Sequence, residues 1–416
     1  MSIHGKILGI DFGTSNSSAG FLHDGAPKLI EFSSGKSTLP TTFFFDFENC
    51  QTLIGDPANQ ALLEGQEGRF MRTLKRVLGT SLMHEKRQIL NERVTFVDII
   101  GKFLGQIKKR AEAETGLIFD QALSGRPVVF HSANDPREGQ AEADLRACYL
   151  AAGFTEVSFM AEPEAAAIAS GGLQQPGKIS LVVDIGGGTS DFSLFQSGHE
   201  DVTILANHGV RIGGTDFDRA ISINQVMPLL GRGSQLRDVL GPGTSAAPNA
   251  IFNDLATWEK IPFLYTPQNR RLSKEMAQLA VEPDKLGRLA TVLEHQLGHE
   301  LAFAVEDGKI LANSGDDHAR IILDQIERRL SAPLPAKTLS MALAPHSKIL
   351  HTAVNETLQM AGLYPKHIGR VIYVGGSSLM TTVSDTVKRL FPNAQHSFSE
   401  VFTAVTDGLA IASGRR

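Results

Sequence analysis

Two aspartates, Asp11 and Asp184, each close a short apolar run and open a turn rich in glycine and hydroxyl side chains. The first run is Lys6-Ile7-Leu8-Gly9-Ile10, followed by Asp11-Phe12-Gly13-Thr14-Ser15-Asn16. The second is Leu181-Val182-Val183, followed by Asp184-Ile185-Gly186-Gly187-Gly188-Thr189-Ser190-Asp191. Glycine-rich tips let backbone N–H groups converge without side-chain obstruction, and converging N–H dipoles cradle phosphate oxygens. Thr14, Ser15 and Asn16 would supply such a cradle from one side, and Gly187, Gly188 and Thr189 from the other. A carboxylate about 4 Å from a phosphate charge is repelled by roughly 4 kcal/mol at an effective dielectric of about 20, so the pattern calls for a cation between them. Mg²⁺ favours oxygen ligands and keeps much of its water, which makes Asp11 and Asp184 holders of its water shell. Read singly, each motif is equally well a tight hairpin turn with a capping aspartate; the duplication with matching aspartates favours the phosphate reading.

The elements that must position these residues follow from the pattern. After each tip the alternation resumes, as Ser18-Ala19-Gly20-Phe21-Leu22 and as Phe192-Ser193-Leu194-Phe195, so each motif is predicted to be a β-hairpin with its glycines at the tip. A third apolar run, Val371-Ile372-Tyr373-Val374, stops at Gly375-Gly376-Ser377-Ser378. The repeated hairpin implies two lobes of related build facing one another rather than a solenoid. Helical stretches over Arg137–Ala152 and Pro163–Ser170 and a strand over Arg126–Phe130 add mixed α/β layers. Residues 241–248 read as a loop and 331–335 as a further break. The expected organisation is lobe I over 1–178, lobe II over 179–399 with an α-rich insertion at about 217–312, and a helix in 400–416 packing back on lobe I.

Composition bounds the rest. The 416 residues are 42% hydrophobic and 20% charged with a formal net charge of -5, ordinary values for a globular chain, and no long block of like charges suggests a nucleic-acid or membrane partner. No apolar run is long enough to span a membrane, and Met1–Lys6 lacks a secretory pattern, so a cytoplasmic location is expected. Cys50 and Cys148 are too far apart in sequence to suggest a disulfide framework or a paired-cysteine metal site. His295 and His299 lie four apart on a predicted helix beside Glu300, a spacing that can bind zinc, but no third ligand is evident and a solvated face is the better reading. Trp258 reads as packing.

Gly9-Ile10-Asp11-Phe12-Gly13-Thr14-Ser15-Asn16-Ser17, Asp184 to Asp191 and Val374-Gly375-Gly376-Ser377-Ser378 resemble, in order and spacing, the phosphate-1, phosphate-2 and adenosine motifs of DnaK-type heat-shock chaperones. The resemblance runs nearly end to end and is closer to the truncated, YegD-like branch of that family. It implies the actin-like ATPase (ribonuclease H-like) fold, α/β, with two lobes around a central nucleotide cleft, each a mixed sheet flanked by helices. It also implies ATP or ADP with Mg²⁺ as ligands.

Further matches carry implied roles. Met160-Ala161-Glu162-Pro163-Glu164-Ala165-Ala166-Ala167 is similar to the first interlobe connection, which makes Glu162 the acidic residue near the attacking water. Leu74-Lys75-Arg76-Val77-Leu78-Gly79 resembles the segment that delivers a catalytic lysine, here Lys75. Water would be polarised near Lys75, Glu162 and Asp191 or Thr189, with Asp184 beside them. Arg211-Ile212-Gly213-Gly214-Thr215-Asp216-Phe217-Asp218 is similar to the second-lobe Gly-Gly-x-Asp-Phe-Asp segment, which implies that Gly213 and Gly214 lie beside the nucleoside. Glu306 and Lys309 match a helix that binds the ribose or adenine side. Gly13 and Gly186 complete the phosphate tips, and Gly375, Gly376 and Ser377 the adenosine motif.

Two positions depart from the family, which places arginines where Ile310 and Leu379 stand. A cation–π contact contributes roughly 0.5–2 kcal/mol, so the aliphatic pair weakens base binding and leaves adenine preference open. The resemblance also implies a protein partner or co-chaperone, a monomeric state and a missing peptide-binding domain. The expected function is a slow, Mg-dependent ATP-hydrolysing hinge switch in protein folding. A non-hydrolysing nucleotide sensor, a sugar or metabolite kinase and a filament-forming actin relative share the same motifs.

Overall fold

The computed structural model describes residues 6–131, 135–170, 177–198, 202–239, 241–398 and 403–414. The expectations resting on Met1–Lys6 and on the ends of 400–416 fall largely outside them. The described chain is mixed α/β and divides into two compact units, one of residues 1–214 with 348–416, the other of residues 215–347.

Two larger sheets organise the first unit. One has six strands, in the order β11 (Glu156–Ala161), β10 (Gln121–Arg126), β1 (Ile7–Phe12), β2 (Asn16–His23) and β3 (Ala26–Leu29), with β4 (Thr38–Pro40) also paired to β2. The other has five, in the order β14 (Val202–Val210), β13 (Ser190–Ser197), β12 (Ile179–Ile185), β19 (Arg370–Val374) and β20 (Gln395–Ser397). Each has an antiparallel hairpin beside parallel strands: β1 pairs with β2 antiparallel and with β10 parallel, and β12 pairs with β13 antiparallel and with β19 parallel. Both predicted hairpins are therefore present with their glycines at the turns. Smaller sheets join β5 (Thr42–Asp46) to β6 (Gln51–Ile54) and β7 (Gly68–Arg72), and β8 (Arg87–Ile89) to β9 (Glu92–Val94).

The strand expected over Arg126–Phe130 lies earlier. Strand β10 covers Gln121–Arg126 and its ladder to β11 ends at Arg126 opposite Ala161. Pro127 has no N–H with which to continue that ladder.

Helices α1 (Asp56–Leu63), α2 (Phe96–Thr115), α3 (Arg137–Ala151) and α4 (Glu162–Ala169) complete the first part of this unit. Helix α2 shows why the sequence folds as it does. Thr95 and Asp98 form a reciprocal capping box, Gly116 ends the helix at φ 69°, and Phe96, Ile99, Ile100, Phe103, Leu104, Ile107 and Ala111 form one buried stripe at helical spacing. That stripe packs in one core with Leu8, Ile10 and Phe12 of β1 and with Leu145, Cys148 and Tyr149 of α3. Helix α11 (Thr381–Leu390) follows β19.

Helix α12 (Ala404–Ser413) packs on α4, β1 and β2. The close approach is possible because Ala165, Ala166 and Ala167 of α4 are small and Gly408 has no side chain. A Cβ at Gly408 would collide with the Ala165 carbonyl, and one at Gly9 would sit 3.0 Å from Ala410 N. Overpacking of this kind costs roughly 1–3 kcal/mol, so Gly408→Val is expected to lower the thermal midpoint by several degrees, read by calorimetry.

The second unit is described by itself. It holds α5 (Gly214–Ile221, entering from the first unit), α6 (Asn249–Leu255), α7 (Pro267–Leu279), α8 (Pro283–Glu294), α9 (Gly298–Asn313) and the start of α10 (Ala336–Met360). Residues 241–248 are not wholly loop, since β16 (Thr244–Ala246) pairs with β15 (Gln235–Arg237). The break at 331–335 likewise contains β18 (Ser331–Pro333), paired with β17 (Arg320–Ile322). Among the described residues no helix is long and apolar enough to cross a membrane.

Candidate functional site

The two hairpin tips meet. Strand register puts Asp11 opposite Ser18 and Asp184 opposite Asp191, so each aspartate sits on its strand one step before the turn. The second turn is closed by Gly186 N donating to Thr189 O at 2.9 Å. Gly187 lies against the first tip: a Cβ there would run into Ser15 Oγ and come within 3.3 Å of Thr14 Cβ. The Ser15 carbonyl accepts from Thr41 N at 2.8 Å, which ties the first tip to the start of β5. A side chain at Gly187 would have to displace the Ser15 hydroxyl and fill the space between the tips, whereas glycine leaves the backbone N–H groups accessible, as a phosphate cradle requires.

The other glycine motifs close on the second tip. Gly214 N donates to Gly186 O at 2.9 Å, and a Cβ on Gly213 would collide with the Gly188 nitrogen. A Cβ on Gly214 would strike Ser377 Oγ. Gly375, at φ 75°, follows β19, and a Cβ there would lie 2.7 Å from Asp184 Oδ1. Gly376, Ser377 and Leu379 form the next 3-10 turn, with Leu379 40% exposed. Gly13, Thr14, Ser15, Asn16, Gly186, Gly187, Gly188, Thr189, Gly213, Gly214, Gly375, Gly376 and Ser377 are thus brought to the ends of the two sheets.

A charged cluster lies behind the tips. Lys75, in the 3-10 turn Leu74–Val77, places Nζ 2.7 Å from Glu162 Oε1, and each side chain is only 10% exposed. Glu162 is the first residue of α4, where the Pro163 ring suits the opening turn. Asp184 and Asp191 are 7% and 1% exposed. Burial first, then the Glu162 carboxylate, push Asp11 up to about 7 against the pull of Lys75. The same two causes push Asp191 up to about 8. Asp184 is raised well above the usual carboxylate range by burial, by Glu162, and then by Asp191 and Asp11. Burial opposes the charge on Lys75, but Glu162 and Asp11 outweigh it and hold the ammonium above its ordinary value.

Four buried or part-buried carboxyl groups therefore face the Lys75 ammonium, and the excess negative charge shows in the raised proton affinity of Asp11, Asp184 and Asp191. Such a donor set fits a hard divalent cation, which supplies the missing positive charge and takes oxygen ligands. Among the described residues no group of three or more His, Cys, Asp or Glu side chains is arranged to hold a metal directly.

Glu306, Lys309 and Ile310 lie on α9 in the second unit. There Lys309 Nζ pairs with Asp218 Oδ1 at 2.7 Å, both side chains under 10% exposed, and Ile310 is 60% exposed. His295 and His299 are not on one helix. Gln296 takes φ 57° and separates α8 from α9, and His299 is buried with its ring 6.1 Å from that of Trp258, so it is a packed residue and not a solvated one. Trp258 packs on Phe303, Ile261 and Ala302, in keeping with a packing role. Cys50 and Cys148 are both free thiols.

Two further neighbours of the site are not marked by the sequence motifs. The Arg76 side chain lies over Gly188, where a Cβ would sit 3.0 Å from its Nε. Tyr149 of α3 is fully buried, and the Asp11 charge adds to the burial that raises its phenol above the ordinary value. The adjacency of Lys75 and Arg76 is the only sequence signal for the first; the second has none beyond an aromatic on an apolar face.

The chain matches the family model described as Hsp70 protein over residues 7–227. Over 223 residues it is 36% identical to the chaperone protein DnaK of Thermoplasma acidophilum, a stretch that is 52% of this chain and 34% of that relative. The match thus spans about a third of the relative's length.

Proposed function

The chain belongs to the Hsp70 family and carries its nucleotide-binding domain in an actin-like ATPase fold, and on that premise we propose that it is a Mg-dependent, slowly ATP-hydrolysing switch. The observation that carries the reading is the meeting of two glycine tips in front of a buried carboxylate cluster that contains one paired lysine. In this reading Gly13, Thr14, Ser15 and Asn16 and, opposite them, Gly186, Gly187, Gly188 and Thr189 bind the phosphates of ATP or ADP through backbone N–H groups. Gly213, Gly214, Gly375, Gly376, Ser377 and Leu379 form the nucleoside side; a ribose or base role for Glu306, Lys309 and Ile310 rests on the family resemblance alone.

Asp11 and Asp184 would hold Mg²⁺ through its water shell, and when bound the ion supplies positive charge to the β- and γ-phosphates. The protein's own work is positioning. Lys75, oriented by Glu162, steadies the attacking water and the terminal phosphate, while Glu162 and either Asp191 or Thr189 accept hydrogen bonds from that water. Little covalent chemistry is asked of the side chains, because phosphoryl transfer depends mainly on alignment and charge stabilisation.

The two sheets would form two lobes, residues 1–178 with 400–416 and residues 179–399, the latter with an α-rich insertion at about 217–312. A γ-phosphate gripped from both tips favours one arrangement of the lobes, and its loss releases that bias. A monomer in the cytoplasm reporting to a protein partner, such as a co-chaperone or a folding client, is the biological setting this implies.

Single-turnover phosphate release tests the reading. The expected rate is on the order of 10⁻³ to 10⁻² s⁻¹, the scale of nucleotide hydrolysis without an accelerating partner. Tight ATP binding with no release over many hours would instead establish the sensor reading.

A further inference from the structure

Lys75 stands on a stretch that has no helix or sheet ladder of its own. After β7, Thr73 takes φ 64°, Leu74–Val77 makes a single 3-10 turn, Gly79 takes φ 76° and Ser81–His84 makes a second 3-10 turn. A lysine on such a stretch keeps a 2.7 Å bond to Glu162 only if something else holds its backbone.

Helix α3 supplies one anchor. Asp144, 1% exposed, accepts the Gly79 N–H on Oδ2 at 2.9 Å. Its Oδ1 is engaged by His84 Nε2 at 2.9 Å and by Gln140 Nε2 at 2.7 Å. A single buried carboxylate therefore ties Gly79, ahead of the second turn, and His84, at its end, to the helix.

His131 supplies the other. It is 5% exposed, and its Nε2 lies 2.7 Å from the Leu78 carbonyl oxygen, which can only accept, so Nε2 carries the proton. Nδ1 is then the acceptor, and it faces Arg211 Nη1 at 3.5 Å. Arg211 stands two residues before Gly213, whose backbone abuts the Gly187–Gly188 tip. The chain fits tightly here, since a Cβ on Gly79 would lie 2.7 Å from the Arg137 carbonyl and 2.9 Å from His131 Nε2.

We propose that Asp144 and His131 are positioning residues for Lys75, Asp144 holding Gly79 to α3 and His131 holding the Leu78 carbonyl so that the ammonium is presented in one place, with His131 also linking this loop to the segment that backs the second glycine tip. The inference rests on the reading of Lys75 as the residue that steadies the terminal phosphate.

Two measurements on the full chain separate this inference from that reading. In single-turnover phosphate release, Asp144→Ala is expected to be about 10- to 100-fold slower than the parent, with the ATP dissociation constant changed less than about threefold, because misplacement by about 1 Å is enough for such a loss. Asp144→Asn retains an acceptor for Gly79 N and should recover most of the rate. The double variant Lys75→Ala/Asp144→Ala should be no slower than Lys75→Ala alone, which general destabilisation would not produce. His131→Phe should behave like Asp144→Ala and His131→Gln should restore function, which gives an independent pair if Asp144→Ala fails to fold.

The second measurement needs no hydrolysis. Acetic anhydride labelling of Lys75 in the ligand-free chain, followed by mass spectrometry with exposed Lys102 as internal standard, should accelerate at least about fivefold in Asp144→Ala. Accelerated labelling with unchanged phosphate release would overturn the positioning role and leave the proposed function standing. If the parent chain releases no phosphate, the hydrolytic reading fails, and labelling alone decides: unchanged labelling in both Asp144→Ala and His131→Phe overturns the clamp.

Discussion

Replacing Lys75 with methionine is expected to slow single-turnover ATP hydrolysis by about 10²- to 10³-fold while ATP·Mg²⁺ affinity changes by less than about tenfold, the pattern of a group whose charge matters most as the terminal phosphate leaves. The structural ground is that Lys75 Nζ is bonded to Glu162 and also attracts Asp11 and Asp184. Methionine keeps most of the unbranched apolar stem and removes the ammonium, with both its charge and its hydrogen bond to Glu162. It also leaves the Glu162 carboxylate buried without its partner, and breaking such a pair costs roughly 3–5 kcal/mol. Stability should therefore fall as well, more at pH 8 than at pH 6, because protonation of the neighbouring carboxyls relieves the excess charge. Rapid-quench assays and thermal unfolding at the two pH values read both effects; an unaltered release rate in a folded Lys75→Met chain would remove Lys75 from the mechanism.

Asp11→Asn is expected to act with opposite signs on folding and on binding. Asp11 is held up at about 7 in the folded chain, against about 4 for an ordinary aspartate, so its proton is bound more tightly in the folded than in the unfolded state. Below pH 4 the group costs nothing; as pH rises through 7 the folded state must carry an unfavourable charge, and stability is lost across that window. Asp184 and Asp191 are raised too and extend the loss towards pH 8. Without Mg²⁺, the parent chain should thus melt at a lower temperature at pH 8 than at pH 6. Asp11→Asn should melt a few degrees higher than the parent at pH 8 and show a shallower pH slope, yet bind ATP at least about tenfold more weakly when Mg²⁺ is present. A variant that loses stability at pH 8 would contradict the charge argument.

Sequence pattern carried far where one local rule fixes one local structure. Each apolar run ending in Asp and glycines became a hairpin, since a strand stopped by a turn needs no distant partner to be recognised. Helices α3 and α4 were equally visible within a residue of their ends. Pro127 stops β10 at Arg126, whereas the apolar residues after it suggest a strand reaching Phe130. Helical spacing places His295 and His299 on one helix because it is blind to a single residue such as Gln296 at positive φ.

The parts that no pattern announces are those built by contact across long sequence distances. Lys75 and Glu162 are 87 residues apart, Asp144 and Gly79 are 65, and His131 and Leu78 are 53. Asp144 looks like any charged helix residue until its burial shows that both oxygens are used. The raised carboxyl groups likewise follow from burial and mutual repulsion, neither of which is written in the spacing of Asp11, Asp184 and Asp191.

The most direct measurement is calorimetric titration of the full chain with ATP, once with excess Mg²⁺ and once with EDTA. Two glycine tips backed by under-neutralised carboxylates predict one ATP per chain, bound at least about tenfold more tightly with Mg²⁺, and no detectable binding in either condition to Gly187→Val, whose side chain would occupy the space between the tips. Equal affinity with and without the cation, or undiminished binding by Gly187→Val, would contradict it.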